Sequence, residues 1–370
     1  MPPRVSTKQE KDDVLSFTLS DTNVSIANAV RRTLISDIPS VVFHTFPYSE
    51  NQCTITTNTT RFNNEIIKHR LSCVPIHITD MSIPLENYLL VVNKKNESSV
   101  VEYITTEDFQ IKDVKTDKFL SKGDRDAIFP KNSLTGHYIE FLRLRPKLAS
   151  NLHGEELSLT CKFSVSTAKQ NSAYNQTSTC LYKNTLDAVA ANDTWAKKEK
   201  TLKAEGMKAT DIAFEKKNWY LLEGNRNFIP DSFDFTIKTV GIYENRQLVK
   251  KACDVLVTSC THVKQAVESD DTTVVSIKSS KTTIENCFDV TLHGYDYTVG
   301  KVIEYFLYFK HYEGDKMLTY CGFNKEHPHD SHSIIRLGFK NQSDTAVVKQ
   351  FLSEALASAI TTFVEISDEF

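Results

Sequence analysis

Apolar and polar residues change their period several times along this chain of 370 residues. Near the start, VLSFTL has the apolar density of a strand. SIANAVRRTL follows, with Ala27, Val30 and Leu34 at helical spacing. Ser25 is placed to cap that helix, and Pro39 stops it just after Ile38. The middle of the chain alternates, first in CTITTNTT and then in ELSLTCKFSVS. In the latter, Leu157, Leu159, Cys161, Phe163 and Val165 are predicted to share one strand face. The polar runs VNKKNESS and LSKGDRD read as loops. From Leu186 to about Gly224 an Ala- and Lys-rich stretch predicts one or two exposed helices with the lysines on a solvated face.

FDFTIKTVG then alternates through Phe233, Phe235 and Ile237. A long helix follows, carrying Val249, Cys253, Leu256, Cys260, Val263 and Val267 in steps of four and three, a heptad-like seam that requires a partner helix. After the acidic, apolar-poor ESDDTTVV the plan restarts. It runs through TIENCFDVTLHG, a helix from Thr298, SIIRLGFK, and a last helix from about Asp344 with Val348, Leu352, Ala355, Ala359 and Phe363 on one stripe. TVGKVIEYFL thus echoes SIANAVRRTL, but Glu304 and Tyr305 stand where the first copy has Arg31 and Arg32. One-sided helices in two copies satisfy each other by packing together, so an intramolecular pseudo-dimer is expected. Its core would contain Ala27, Val30, Leu34, Val299, Ile303, Leu307, Leu256, Leu352 and Phe363. The expected fold class is α+β, with two modules of sheet plus long helices and a β-rich domain inserted in the first. The expected limits are 1–45 and 186–268 for the first module, 46–185 for the insertion and 269–370 for the second module.

Composition narrows the function. A net charge of -3 and a pI near 6.4 supply no overall positive field for a phosphate backbone, so direct nucleic-acid binding is disfavoured. The eight cysteines include no C-x-x-C, which points to free thiols in a reducing compartment. The opening MPPRVSTKQEKDD lacks the apolar core of a signal peptide, and no run of about 18 apolar residues suggests a membrane span, so a soluble intracellular protein is expected. His327, His329 and His332 beside Asp330 form the one tempting metal cluster, but Pro328 makes this a surface turn rather than a helical ligand face. Glu65 and His69 sit at i and i+4 without the second His of H-E-x-x-H. With no P-loop, no G-x-S-x-G and no Asp-rich metal loop, the chain reads as a scaffold with no catalytic residue, cofactor or metal.

SIANAVRRTLISDIPS resembles the first-helix motif of the alpha-like RNA polymerase subunits: the bacterial alpha amino-terminal domain, archaeal D, and the third-largest subunit of eukaryotic RNA polymerase II. NTTRFNNEIIKHRLSCVPI is similar to that family's D-E-x-x-x-H-R-L-x-x-x-P, with Asn64 for the usual Asp. IEFLRLRPKLASNLHGEELSLTCKFSVSTAKQNSAYNQ resembles the stretch that leads to A-K-W-x-P, of which Ala168 and Lys169 remain. HGYDYTVGKVIEYFL and YCGFNKEHPHDSHSIIRLGF resemble the smaller partner, the eleventh-largest subunit or archaeal L, and assign HPHDSH to a family turn.

The resemblance implies a fusion of two polypeptides, of the kind large cytoplasmic DNA viruses encode, acting in the cytoplasm, a viral factory or the virion. It implies a non-catalytic platform that receives the second-largest, β-like subunit and contacts the largest, β′-like subunit and small zinc-binding subunits. No sequence-specific nucleic-acid contact and no membrane are expected. Arg31 and Arg32, with Asn28, would present forked donors to carboxylates or carbonyls of the β-like partner. Glu65, His69 and Arg70 are the second candidates, with an internal salt bridge or capping role as the alternative. Relatives carry cysteines for zinc or an iron–sulfur cluster in the inserted domain; residues 81–130 contain none, so no metal is expected. An unrelated self-associating protein, or a hydrolase using Glu65 and His69, are the competing classes.

Overall fold

The computed structural model describes residues 2–147 and 153–370; part of the motif stretch quoted above, residues 148–152, lies outside them. Among the described residues the helices are α1 (Val24–Ser36), α2 (Asn64–Ser72), α3 (Lys122–Ile128), α4 (Ala188–Ala204), α5 (Ala209–Leu221), α6 (Asn245–Ser269), α7 (Tyr297–Leu307) and α8 (Thr345–Asp368). The chain gathers in two compact units. One comprises the chain up to Leu34 with Thr177–Lys238 and Asn245–Phe370; the other comprises Ile35–Gln176 with Thr239–Glu244.

The first unit holds one arrangement twice. One sheet has the order Arg4–Lys11, Val14–Ser20, Phe228–Thr239, Thr177–Leu186, and the other Val275–Ser279, Cys287–His293, His332–Phe339, Leu318–Asn324. Along the chain each is ββαββα, with the fourth strand seated between the second and third. The pairing repeats as well. Leu15, Phe17 and Leu19 oppose Ile237, Phe235 and Phe233, as Phe288, Val290 and Leu292 oppose Leu337, Ile335 and Ser333. Because a strand's side chains alternate between faces, a slip of one residue would turn the buried Leu15, Phe17 and Leu19 to water, which fixes the register.

Each last strand feeds a long helix, and α6 packs along α8. The seam residues Val249, Cys253, Leu256, Cys260 and Val263 of α6 are buried, as are Val348, Leu352, Ala355, Ala359 and Phe363 of α8. Each buried Leu or Phe of this kind stabilises by about 1.5–3 kcal/mol relative to exposure. By length and composition α8 is long and apolar enough to cross a membrane. Here its apolar stripe is buried within the unit. Ala27, Val30, Leu34, Val299, Ile303 and Leu307 are buried in the same unit. The Ala- and Lys-rich stretch forms the hairpin of α4 and α5, joined through Gly206 at φ 78°. Its inner face closes on Trp195 and Trp219, with ring centroids 5.6 Å apart. This hairpin lies between the third and fourth strands of its sheet, where the second sheet has the His327–Asp330 turn.

The second unit is built on a five-stranded sheet in the order Cys53–Asn58, Glu156–Lys162, Tyr88–Lys95, Gln110–Asp113, Lys118–Phe119. Its core includes Phe43, Ile67, Leu71, Phe109, Phe129, Leu157, Leu159 and Cys161.

Four local expectations change. Asn23, not Ser25, caps α1: its Oδ1 accepts the Ser25 N–H at 2.8 Å, because the chain turns two residues earlier than the apolar pattern begins. LSKGDRD is not a loop but supplies α3, started by Ser121, whose hydroxyl accepts the Asp124 N–H at 3.2 Å. The VNKK of VNKKNESS ends the strand Tyr88–Lys95, where Lys94 is held by Asp108 at 2.9 Å. Val165 leaves the face shared by Leu157, Leu159 and Cys161 and is half exposed. The strand breaks at Phe163 and its continuation, Ser164–Ser166, pairs instead with Ser40–Val42.

Candidate partner-docking surfaces

α1 is positioned by the sheet strand before it and by the hydroxyl of Thr177, which donates to the carbonyl of Leu34 at 2.8 Å and satisfies one of the helix's last acceptors. Its apolar face is buried, leaving Asn28, Arg31 and Arg32 on partly exposed ground. Arg31 Nε donates to Asn28 Oδ1 at 3.0 Å, one turn back. Arg32 turns toward the second copy: Nε donates to Thr298 Oγ1 at 2.9 Å and Nη2 reaches Asp296 Oδ2 at 3.3 Å. Asp296 is itself the cap of α7, its Oδ1 accepting the Thr298 N–H at 3.0 Å. An arginine of the first helix therefore clamps the start of the second. Tyr305, the residue standing where α1 has Arg32, has its hydroxyl pKa raised by burial and then by the charges of Asp231 and Glu313. The Asp231 carbonyl in turn accepts the Thr22 N–H at the approach to α1. The sequence carried a signal for this cross-contact in the Asn23 and Asp296 caps, two residues before the echoed Ser25 and Thr298.

In the second unit, Asn63 caps α2 by accepting the Ile66 N–H at 2.9 Å. Ile67 and Leu71 face the core, which turns Glu65 and His69 outward. These two meet at a cavity of about 430 Å³ lined also by Thr45, Phe46, Tyr48, Lys68, Ser72 and Asn171. Phe46 and Tyr48 are 75% and 87% exposed, and Lys68 Nζ lies 5.9 Å from the centre of the Tyr48 ring. Two bare aromatics are of the type enriched in interface cores, and the cation and carboxylate beside them suit a polar rim. The sequence reading passed over them, although HTFPYSE places the two rings either side of a proline. Arg70 does not join this rim. Its Nε and Nη2 donate to the carbonyls of Phe141 and Glu140 at 2.7 and 3.1 Å, tying α2 to the strand Glu140–Leu144. His327 and Asp330 close a turn in which Asp330 Oδ2 accepts the His327 N–H at 2.9 Å, and His332 lies on the following strand opposite His293.

The sequence model of the RNA polymerase Rpb3/Rpb11 dimerisation domain matches residues 16–260. The chain is 36% identical over 74 residues to subunit 3 of DNA-directed RNA polymerases II, IV and V of Arabidopsis thaliana, covering 20% of this chain and 21% of that one. It is 32% identical over 68 residues to the DNA-directed RNA polymerase subunit Rpo3 of Pyrococcus furiosus, covering 18% and 23%. With Rpo3 of Pyrococcus horikoshii it shares 26% over 133 residues, 33% of this chain and 49% of the relative. The matches thus span from about a fifth to half the length of these relatives. With a family match running from the second strand through α1, the β-rich unit and most of α6, the chain belongs to the RNA polymerase Rpb3/Rpb11 dimerisation-domain family.

Proposed function

We propose that this protein is a non-catalytic assembly platform of a multisubunit DNA-directed RNA polymerase, in which two dimerisation modules are joined in one polypeptide. The observation that carries the reading is the repeated ββαββα arrangement, whose two long helices α6 and α8 pack on each other within a family known by its dimerisation domain. In this reading residues 1–34 with 177–238 and 245–268 act as the third-subunit-like module, 35–176 as its insertion, and 269–370 as the eleventh-subunit-like module. The pair forms an intramolecular pseudo-dimer. Tethering holds the modules at an effective concentration of roughly millimolar, so neither searches for its mate.

Arg31 with Asn28 offers one docking surface for the β-like subunit. The α2 rim of Glu65 and His69, with Phe46 and Tyr48, offers the other. Arg32 contributes by holding the two modules in register as well as by facing the partner. The largest subunit and small zinc-binding subunits occupy other faces, and a viral transcription machinery working in the cytoplasm is the setting that fits a fused chain. Affinity purification of the tagged chain from its native source tests the reading. β- and β′-like polymerase subunits are expected in the eluate, and recovery of the chain alone overturns it. Cutting the chain after Ser269 and co-expressing the halves tests the pseudo-dimer: the halves are expected to copurify, and soluble separate monomers would exclude it.

A further inference from the structure

Two of the eight cysteines stand directly opposite one another. Cys53 opens the edge strand of the five-stranded sheet and is in register with Cys161 on the neighbouring strand. Both are buried and both are free thiols. Opposed residues on antiparallel strands have Cα atoms about 4.5–5.5 Å apart, inside the range of about 4.4–6.8 Å that a disulfide spans. The Cys161 thiol donates to the carbonyl of its neighbour Lys162 at 3.5 Å. The remaining cysteines of this unit reduce to Cys73, which is exposed at the end of α2.

The pair is unequal. The neighbouring Cys161 thiol, and then the charge of Lys68, hold the Cys53 thiol below the ordinary range, while the neighbouring Cys53 and burial push Cys161 up. Cys53 also sits at an opening end of the sheet. Asn51 Oδ1 accepts the Cys53 N–H at 3.1 Å and Nδ2 donates to the Cys53 carbonyl at 2.8 Å, while the Gln52 N–H donates to the His44 carbonyl at 2.8 Å and the Gln52 carbonyl accepts the Lys162 N–H at 3.2 Å. Opening this end of the edge strand breaks these few bonds without unzipping the interior pairs. By contrast, Cys253 and Cys260 lie on α6, with burial pushing each thiol up to about 12.

We infer that Cys53 and Cys161 form a cross-strand disulfide when the chain meets a low-molecular-weight disulfide such as oxidised glutathione, stapling the edge strand to the sheet. The Cys53 thiolate attacks one glutathione sulfur, a Cys53–glutathione bond forms and one glutathione thiolate leaves. The Cys161 thiolate then attacks the Cys53 sulfur and displaces the second glutathione. Two protein thiols are oxidised, one glutathione disulfide is reduced to two thiols, and the two protein protons end on the glutathiones. Thiolate attack through a mixed disulfide is the general route of such exchange.

The test uses the full chain carrying Cys73→Ser, which removes the exposed competitor. The folded protein is held in excess oxidised glutathione, quenched, alkylated under denaturing conditions and mapped by mass spectrometry. Of the seven cysteines left from the original eight, two are expected to disappear from the thiol count and reappear as one Cys53–Cys161 linked peptide. Adding Cys161→Ser should instead trap glutathione on Cys53, removable by dithiothreitol, and Cys161→Ala gives the same trap without a buried hydroxyl. Cys53→Ser should leave Cys161 unmodified. Persistence of all seven thiols, or glutathione accumulating on Cys53 while Cys161 is present, overturns the inference.

Discussion

In α1, Arg31 and Arg32 occupy the positions that Glu304 and Tyr305 hold in α7, and the two pairs turn to different neighbours. Arg32 reaches the start of the other copy, at Thr298 and Asp296. Glu304 turns back into its own half, accepting the Phe323 N–H at 3.3 Å and pairing with Lys301, and Tyr305 stacks on Phe309. What the helices share is what their setting demands of both: an Asn or Asp cap, and a buried face closed by Leu34 or Leu307. A further difference lies on the buried face. A Cβ at Gly300 would stand 2.0 Å from Cε2 of Phe323, so that ring packs against the backbone of α7, whereas α1 has Ala27 at the matching place. Pseudo-symmetry therefore holds at the caps and the closing leucines and lapses where each copy has its own neighbour, at Arg32 and Glu304 and beneath the Phe323 ring.

The largest effect is expected at the seam. Leu256→Ala in α6 and Leu352→Ala in α8 should each cost about 3 kcal/mol, read by urea denaturation. Both should give one cooperative transition, since α6 and α8 share a unit; a separate transition for the C-terminal half would break the equivalence of the copies. Next, Gly300→Ala should cost about 1–3 kcal/mol by overpacking against Phe323. Ala27→Gly should cost only about 1 kcal/mol, through backbone entropy. Equal costs would mean that the two buried faces are alike after all.

The sheets also differ in a cross-strand charge pair. Asp289 and Arg336 are opposed and doubly bonded at 2.6 and 2.9 Å, where the first sheet pairs Ser16 with Thr236. The bond to Arg336 holds the Asp289 carboxyl below its ordinary range. Its stabilisation is therefore full above the unfolded carboxyl's pKa of about 3.9 and fades as pH falls through the lower folded value. Asp289→Ser alone should cost about 1 kcal/mol at pH 7, and less below pH 3. Adding Arg336→Thr, which transplants the first sheet's pair, should recover part of the loss. The smallest effect separates the arginines. Arg32→Ala should lower stability by about 1 kcal/mol and Arg31→Ala by under about 0.5, as measured by thermal denaturation. In a pull-down with the β-like subunit, Arg31→Ala should be the more selective loss of capture without loss of fold.

By itself the sequence determined the local periods. The strand alternation around Phe17 and Phe235, the stripes of α6 and α8, and the echo of α1 in α7 were all legible, because burial of one face imposes a period of two or of three to four on apolar positions. The family was legible too, from the first-helix motif. Tertiary structure alone decided which groups separated in sequence meet: that Arg32 clamps Asp296, that Arg70 is spent on the carbonyls of Phe141 and Glu140, that Phe46 and Tyr48 stand bare beside His69, and that Cys53 faces Cys161. Such pairings depend on strand order and register, which are fixed by closing each unit's sheets and helices around its own core rather than by any period within a segment.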